Sequence, residues 1–171
     1  MMRVFVQDRC QCDPKKCTAK KMVKFGLAEN IGVASIPAGA IVLSPFAEQA
    51  LSPADAKLAK KHGLVVIDMT WTNIDEFPKV KKANERALPY LLASNAVNWG
   101  RPMELNSAEA AFASLIIFGE KEQADGFMGR FNWAPEFIKL NGALLDEYSK
   151  AKDSTEVVRI QNEYIDSIKK S

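Results

Sequence analysis

The segment from Ser52 to Asp68, SPADAKLAKKHGLVVID, decides the fold class of the N-terminal part. Ser52 followed by Pro53 is typical of a helix start, and Gly63 is typical of the position just past a helix end. The next residues, 64–68, form a short apolar run rich in β-branched side chains, which predicts a buried strand. A helix that leads directly into a buried strand is typical of α/β proteins.

Other segments of the first half fit the same class. Residues 2–7 alternate and are rich in Val and Phe, which predicts a strand, and residues 14–25 have a helix pattern that ends at Gly26. A further short strand is predicted at residues 41–44. We therefore predict an N-terminal α/β domain with a small sheet at residues 1–87.

The remaining residues, 88–171, are predicted to form a helical C-terminal domain. Asn106 with Glu109 has the pattern of a capping box, and Gly119 stops the helix that it begins. The predicted helices of this part lie at residues 106–118, 135–151 and 153–170. One face of the second is predicted to be core and carries Leu140, Leu144, Leu145 and Tyr148.

A distinctive loop joins the two parts, in the stretch LPYLLASNAVNWGRPMELNSAEA of residues 88–110. Residues 89–94 have a short apolar helix pattern, and the loop that follows contains Asn95, Asn98, Gly100 and Pro102. Asn and Gly adopt backbone conformations that turn peptide groups toward a ligand. The loop therefore either lines a binding site or serves as a rigid helix connection.

Composition limits the classes of protein that fit. The chain has 171 residues, is 47% hydrophobic and carries a net charge of +2, which suits a core of one domain or two small ones. Its most apolar stretch, residues 31–47, is broken by Pro37 and Pro45, and its start is charged, so we expect a cytoplasmic protein without a membrane span. Basic residues outnumber acids before Pro102, as on a surface that meets RNA phosphates or on an ordinary solvated face.

The three cysteines, Cys10, Cys12 and Cys17, lie close together in sequence. An odd count without a secretion signal argues against a disulfide framework. Three thiolates could contribute to a metal site, but a fourth ligand is not evident, so we expect reduced structural cysteines and no metal.

Several motifs in fixed order carry a family resemblance. They are CDPKKCTAKK at residues 12–21, GLVVIDMTW at residues 63–71, ERALPY at residues 85–90, and the loop of residues 95–105. Together they closely resemble the ribosome-biogenesis aminocarboxypropyltransferases that modify small-subunit ribosomal RNA. The resemblance implies a SPOUT-like fold whose C-terminal part forms a deep trefoil knot.

The resemblance also implies a reaction. Relatives transfer the 3-amino-3-carboxypropyl group of S-adenosylmethionine to N3 of a pseudouridine-derived nucleotide in small-subunit rRNA or the pre-ribosomal small subunit. Trp71 is expected to cover the cofactor methyl group, because a flat aromatic face also favours a sulfonium cation. Asp68 is expected either to orient the uridine or accept its N3 proton, or only to cap the turn after the strand.

Other site residues follow from the resemblance in the same way. The expected cofactor-binding residues are Thr18, Ile67, Trp71, Leu88, Met103 and Ser107. Independently of the resemblance, basic residues clustered beside these motifs are expected to bind RNA phosphates, namely Lys15, Lys16, Lys20, Lys21 and Arg86. We expect a monomer that binds neither DNA nor membrane.

Two other functions remain open. A SPOUT-like methyltransferase would use the same cofactor and RNA but move the methyl group. A non-catalytic ribosome-assembly protein would need only the basic surface. The reaction product would distinguish a methyltransferase, and a lack of cofactor binding would distinguish an assembly protein.

Overall fold

Five parallel strands form a single sheet at the centre of the N-terminal part. The structure, a computed structural model, describes residues 1–9, 15, 17–69, 71–80 and 83–171, with only the backbone at Trp71 and Thr72. The strands are β1 (Val4–Asp8), β2 (Glu29–Asn30), β3 (Ile41–Leu43), β4 (Leu64–Asp68) and β5 (Asn84–Arg86). Their order across the sheet is β2-β1-β4-β3-β5, and all neighbouring pairs are parallel.

Helices account for most of the remaining structure. They are α1 (Thr18–Lys24), α2 (Ala56–His62), α3 (Ser107–Ile117), α4 (Lys121–Met128), α5 (Ala134–Lys150) and α6 (Ser154–Lys169). Short 3₁₀ turns lie at Val33–Ser35, Pro53–Asp55 and Trp71–Glu76. The predicted α/β class of the N-terminal part and the helical C-terminal part are therefore both confirmed.

Residues 52–68 fold as predicted from the sequence. Ser52 and Asp55 form a capping box, α2 follows, and β4 occupies the predicted residues 64–68. Gly63 ends the helix with φ +102°, and a Cβ atom there would lie 2.5 Å from Cε2 of Phe5. Glycine satisfies both conditions, because it adopts positive φ without a side-chain clash.

The three predicted C-terminal helices are also present. α3 begins after Asn106, whose side chain accepts a hydrogen bond from Glu109 N, and α6 begins after Asp153 in the same way. On α5, Leu144, Leu145 and Tyr148 are buried as predicted, whereas Leu140 is only half-buried.

The predicted short helix at residues 89–94 is wrong. This segment contains no helical residue, and Leu92 forms an isolated antiparallel bridge with Pro102. Side chains from later helices bind its backbone: Leu92 N donates to Asn141 Oδ1 at 2.8 Å, and Tyr90 N donates to Gln161 Oε1 at 2.9 Å. These side chains satisfy backbone N–H groups of the segment, so it does not need the hydrogen bonds of a helix despite its apolar pattern.

One hydrophobic core joins the two parts of the chain. It extends from strand residues such as Val6 and Val66 through Leu91 to Phe112 and Phe137 on the C-terminal helices. A second, smaller cluster covers the opposite face of the sheet and contains Phe5, Ala40, Val42, Val65 and Ile67. Neighbouring strand residues enter different clusters because side chains alternate across a sheet. Among the described residues, no helix is both long and apolar enough to cross a bilayer.

Candidate functional site

A large open cleft lies at the carboxyl ends of the strands. Residues that follow or end four of the strands line it, including Thr18, Ser44, Asp68 and Ala87, and its volume is about 1910 Å³. After β1, the chain adds β2 on one side of β1. It then crosses to β3, which lies beyond β4 on the other side, so the strand order reverses between β1 and β4. Ligands of open α/β sheets bind at such a reversal of strand order, outside the carboxyl ends of the strands.

Asp68 lies at the centre of this edge. It is directly opposite Asp8 in the β1–β4 register, and its carboxylate accepts hydrogen bonds from the Ser107 hydroxyl and from the Cys17 thiol, the latter at 3.6 Å. Sγ of Cys17 and one carboxylate oxygen from each of Asp8 and Asp68 all lie within 4.8 Å of one another. The site thus places an acceptor carboxylate in the cleft wall and fixes its orientation from α1 and α3.

Five of the residues expected to bind cofactor line this one cleft. Thr18 is the first residue of α1 and is half-buried, and Ser107 is the buried first residue of α3. Ile67 is 8% exposed at the end of β4, and Leu88 is half-buried after β5. Met103 completes the set from the loop. These residues are distant in sequence, so the fold alone brings them together.

A buried carboxylate holds the loop in place. Glu109 is fully buried, and Oε2 accepts hydrogen bonds from Ser94 N at 2.6 Å and Ser94 Oγ at 3.0 Å. Its Oε1 accepts from Asn95 Nδ2 at 2.6 Å and from Asn106 N at 3.0 Å. The capping pattern identified Glu109 in the sequence, but its contacts with the start of the loop depend on the tertiary fold.

Met103 has an unusual backbone conformation. Its φ is +67°, the one positive φ among the described residues other than glycine, and its N donates to Leu91 O at 2.9 Å. Such conformations cost free energy and are concentrated at binding sites. The aromatic residues Phe131 and Trp133 also line the cleft and pack at 5.0 Å between ring centroids.

The residues expected to bind RNA have different surroundings. Lys21 is exposed and lines the cleft, and Lys15 and Lys20 are exposed nearby in sequence. Lys16 lies outside the described residues. Arg86 differs from these, since its Nε is 3.0 Å from Asp55 Oδ1 and its side chain is 13% exposed. Arg86 therefore belongs to a buried ion pair and is not part of the proposed RNA-binding surface.

Two further predictions fall outside the described part of the chain. The side chain of Trp71 is not described, so its contact with the cofactor remains a prediction, although its backbone begins the 3₁₀ turn after β4. Cys10 and Cys12 are also outside, whereas Cys17 is buried and free of a disulfide.

The fold and cleft define a class: an α/β protein with an open parallel sheet and a ligand cleft at its carboxyl edge. Residues 41–165 match the family model described as ribosome biogenesis protein, C-terminal. The chain belongs to this family of ribosome biogenesis proteins.

Curated relatives carry one name. A 16S rRNA aminocarboxypropyltransferase of Methanosarcina mazei is 50% identical, with 95% of this chain and 94% of the relative aligned. An equally named protein of Methanocaldococcus jannaschii is 40% identical over 96% of this chain and 97% of the relative. The solved structure of the SAM-dependent rRNA:acp-transferase Tsr3 from Vulcanisaeta distributa is similar with a TM-score of 0.84. It is 31% identical and covers 99% of both chains.

Residues 2–33 match a second model, a possible Fer4-like domain in RNase L inhibitor. An iron–sulfur cluster of that kind requires four thiolate ligands. The chain has three cysteines, and the thiol of Cys17 is hydrogen-bonded to Asp68. The residues present therefore do not fit such a cluster.

Proposed function

We propose that this protein transfers the 3-amino-3-carboxypropyl group of S-adenosylmethionine to N3 of a pseudouridine-derived nucleotide in small-subunit rRNA. The observation that carries the proposal is the convergence of Thr18, Ile67, Leu88, Met103 and Ser107 on one cleft. Relatives up to 50% identical are named for this activity, and the similar solved structure is named as SAM-dependent.

The donor set of the cleft fits S-adenosylmethionine. The cleft offers the hydroxyl of Thr18 for the cofactor's carboxylate and the backbone of residue 67 for its ribose hydroxyls. The backbone of residues 88 and 103 would bind the adenine edge, and apolar walls would surround the sulfonium. Small-molecule sites usually measure about 300–1,000 Å³. A volume of about 1910 Å³ therefore holds the cofactor with room for a nucleoside beside it.

When bound, S-adenosylmethionine would supply the transferred group: a C–N bond would form at N3 as the N3 proton passes to Asp68 or to water, the C–S bond to that group would break, and methylthioadenosine would leave. The protein's task is geometric, because a sulfonium has three electrophilic carbons and the residues must select one of them. Trp71, whose backbone begins the 3₁₀ turn after β4, would cover the methyl group. Met103 and Leu88 would hold the adenine, so that the aminocarboxypropyl chain faces the open side.

Asp68 is proposed to orient the acceptor nucleotide. Its carboxylate is half-buried, lines the cleft and is held by Ser107 and Cys17. A carboxylate fixed in this way can accept the N3 proton of the base in a hydrogen bond and direct N3 toward the cofactor.

We also propose the finer properties that the family resemblance implies. The chain would form a SPOUT-like deep trefoil knot, with an α/β domain at residues 1–87 and a helical domain at residues 88–171 packed around one shared core. It would act as a cytoplasmic monomer on small-subunit rRNA or its precursor particle. The similarity to the Vulcanisaeta structure over nearly the whole chain supports one fold for the two proteins. The knot, the monomer and the cytoplasmic location follow from the family resemblance.

A double-label experiment tests the reaction. Precursor small-subunit RNA is incubated with the protein and S-adenosylmethionine labelled either in the carboxyl carbon or in the methyl group. We expect the carboxyl label to enter RNA and methylthioadenosine to accumulate. Entry of the methyl label with S-adenosylhomocysteine would make the protein a methyltransferase. Failure to bind the cofactor in calorimetry would leave a non-catalytic assembly role.

A matched pair of variants tests the site. Asp68→Asn keeps the size of the side chain but removes the acceptor carboxylate, so we expect slow transfer with cofactor affinity retained. Asp75→Asn changes an exposed aspartate in the neighbouring 3₁₀ turn and should leave transfer unchanged. Equal rates for the two variants would remove Asp68 from the acceptor site.

A further inference from the structure

The tip of the loop between the two parts of the chain exposes large apolar side chains. Val97 is 84% exposed and Trp99 is 59% exposed, so a tryptophan and a valine face solvent two residues apart. Grouped exposed apolar residues on a soluble protein mark contact surfaces.

The tip is held in shape by its own hydrogen bonds. Asn95 Oδ1 accepts from Val97 N at 3.1 Å and from Asn98 N at 2.9 Å. Gly100 N donates to Ala93 O at 2.7 Å, and Arg101 N donates to Asn98 O at 2.9 Å. A contact made by this tip therefore costs little ordering entropy.

The tip adjoins the cleft without closing it. Val97, Asn98 and Arg101 line the cleft, whereas Trp99 does not. The indole is thus beside the wall of the site, where it can meet a group that continues out of the cleft.

A cation accompanies the aromatic side chain. The side chain of Arg101 is 64% exposed, and its partner Glu104 lies 3.4 Å away at an exposed position, where ion pairs contribute little free energy. Lys21 lines the same cleft from α1. Aromatic faces for bases and cations for phosphates are the contacts by which proteins bind single-stranded RNA.

We propose that Trp99 stacks on a base next to the modified nucleotide and that Arg101 contacts the adjoining phosphate. The occupant is single-stranded RNA that extends from the nucleotide in the cleft. This assignment rests on the proposed function, because the cleft must hold an RNA nucleotide for its neighbour to reach the tip.

The test measures affinity for precursor small-subunit RNA that has not been treated with the protein, by filter binding without cofactor. We expect about tenfold weaker binding for Trp99→Ala and an unchanged salt dependence. Trp99→Phe keeps an aromatic face and should bind within about threefold of the original protein. Ile168→Ala, which trims an exposed apolar residue on α6, is the matched control and should have no effect.

Two further readouts separate stacking from charge and from cofactor binding. Arg101→Ala should lower the slope of log affinity against log salt by about one phosphate contact. RNA should quench tryptophan fluorescence in the original protein and less in Trp99→Phe. Affinity for S-adenosylmethionine by calorimetry should be the same in all variants.

Several outcomes would overturn the inference. If Trp99→Ala binds RNA as well as Ile168→Ala does while the enzyme stays active, the stacking contact is absent and the proposed function stands. If Trp99→Ala weakens cofactor binding equally, Trp99 belongs to the cofactor pocket. If it weakens binding to precursor particles but not to RNA, the partner is a protein. Failure of the original protein to bind RNA or transfer the label would overturn both proposals.

Discussion

Replacement of Glu109 by glutamine tests whether a buried carboxylate organises the cofactor cleft. The side chain has no exposed surface, and its two oxygens accept four hydrogen bonds from Ser94, Asn95 and Asn106. Glutamine has nearly the same shape but carries an NH₂ group in place of one oxygen, so that position changes from acceptor to donor.

The less costly orientation places the new NH₂ group toward Ser94. The Ser94 hydroxyl can then turn and accept a hydrogen bond, but the backbone N–H of Ser94 loses its partner. An unsatisfied buried donor costs about 1–3 kcal/mol. The bonds to Asn95 and Asn106 also become neutral and weaken, although removal of a buried charge offsets part of that loss. We expect Glu109→Gln to lower the free energy of unfolding by about 2–3 kcal/mol.

Urea unfolding at neutral pH measures this change, and calorimetry measures cofactor affinity in the same preparation. Glu122→Gln is the control, because Glu122 is an exposed glutamate on α4. We expect cofactor affinity to fall with Glu109→Gln alone, since the loop that it anchors carries Met103 into the cleft. A loss of less than about 0.5 kcal/mol, the range of surface changes, would refute the reasoning.

Three further predictions test other parts of the structure. Thr18→Asp should weaken S-adenosylmethionine binding by about tenfold or more because of like-charge repulsion, while Thr18→Ala should do much less; equal Kd values would place the cofactor carboxylate elsewhere. Arg86→Ala should cost about 3–5 kcal/mol in urea unfolding by leaving buried Asp55 unpaired, without weakening RNA binding. Lys60→Ala, the control for Arg86→Ala, breaks an ion pair between an exposed lysine and the half-buried Glu120 and should cost less than about 1 kcal/mol. Burial, followed by the neighbouring Tyr164, raises the pKa of Tyr148. Its contribution to stability is therefore complete below the ordinary tyrosine pKa of about 10 and is lost as the pH rises toward the folded value. Tyr148→Phe should flatten the decline of unfolding free energy above that pH, and identical slopes would contradict this assignment.

Elements with strong local signals were predictable from the sequence. β4 is an apolar run that begins just after Gly63. α3 begins with the capping pair Asn106 and Glu109 and ends shortly before Gly119. Both elements occur where predicted. The short edge strands β2 and β5 were not predicted, because they are two and three residues long and polar. They form strands only because a neighbouring strand offers hydrogen bonds.

The site was predictable as a list of residues and not as an arrangement. Asp68 and Thr18 followed from family motifs, but the contact of Cys17 with Asp68 depends on where the start of α1 meets the end of β4. Arg86 shows the converse limit. A sequence shows that a cation is present, whereas its pairing with Asp55 depends on where β5 meets the turn before α2.

The continuous core has a consequence for how the protein is made. α3 packs on α1 and β4, and α5 reaches back to the turn at Pro53–Asp55. During synthesis, the apolar face of the sheet leaves the ribosome long before the helices that cover it. We expect nascent chains that end before Ala134 to be open to protease and to need chaperone protection, with native packing reached only after α5 emerges.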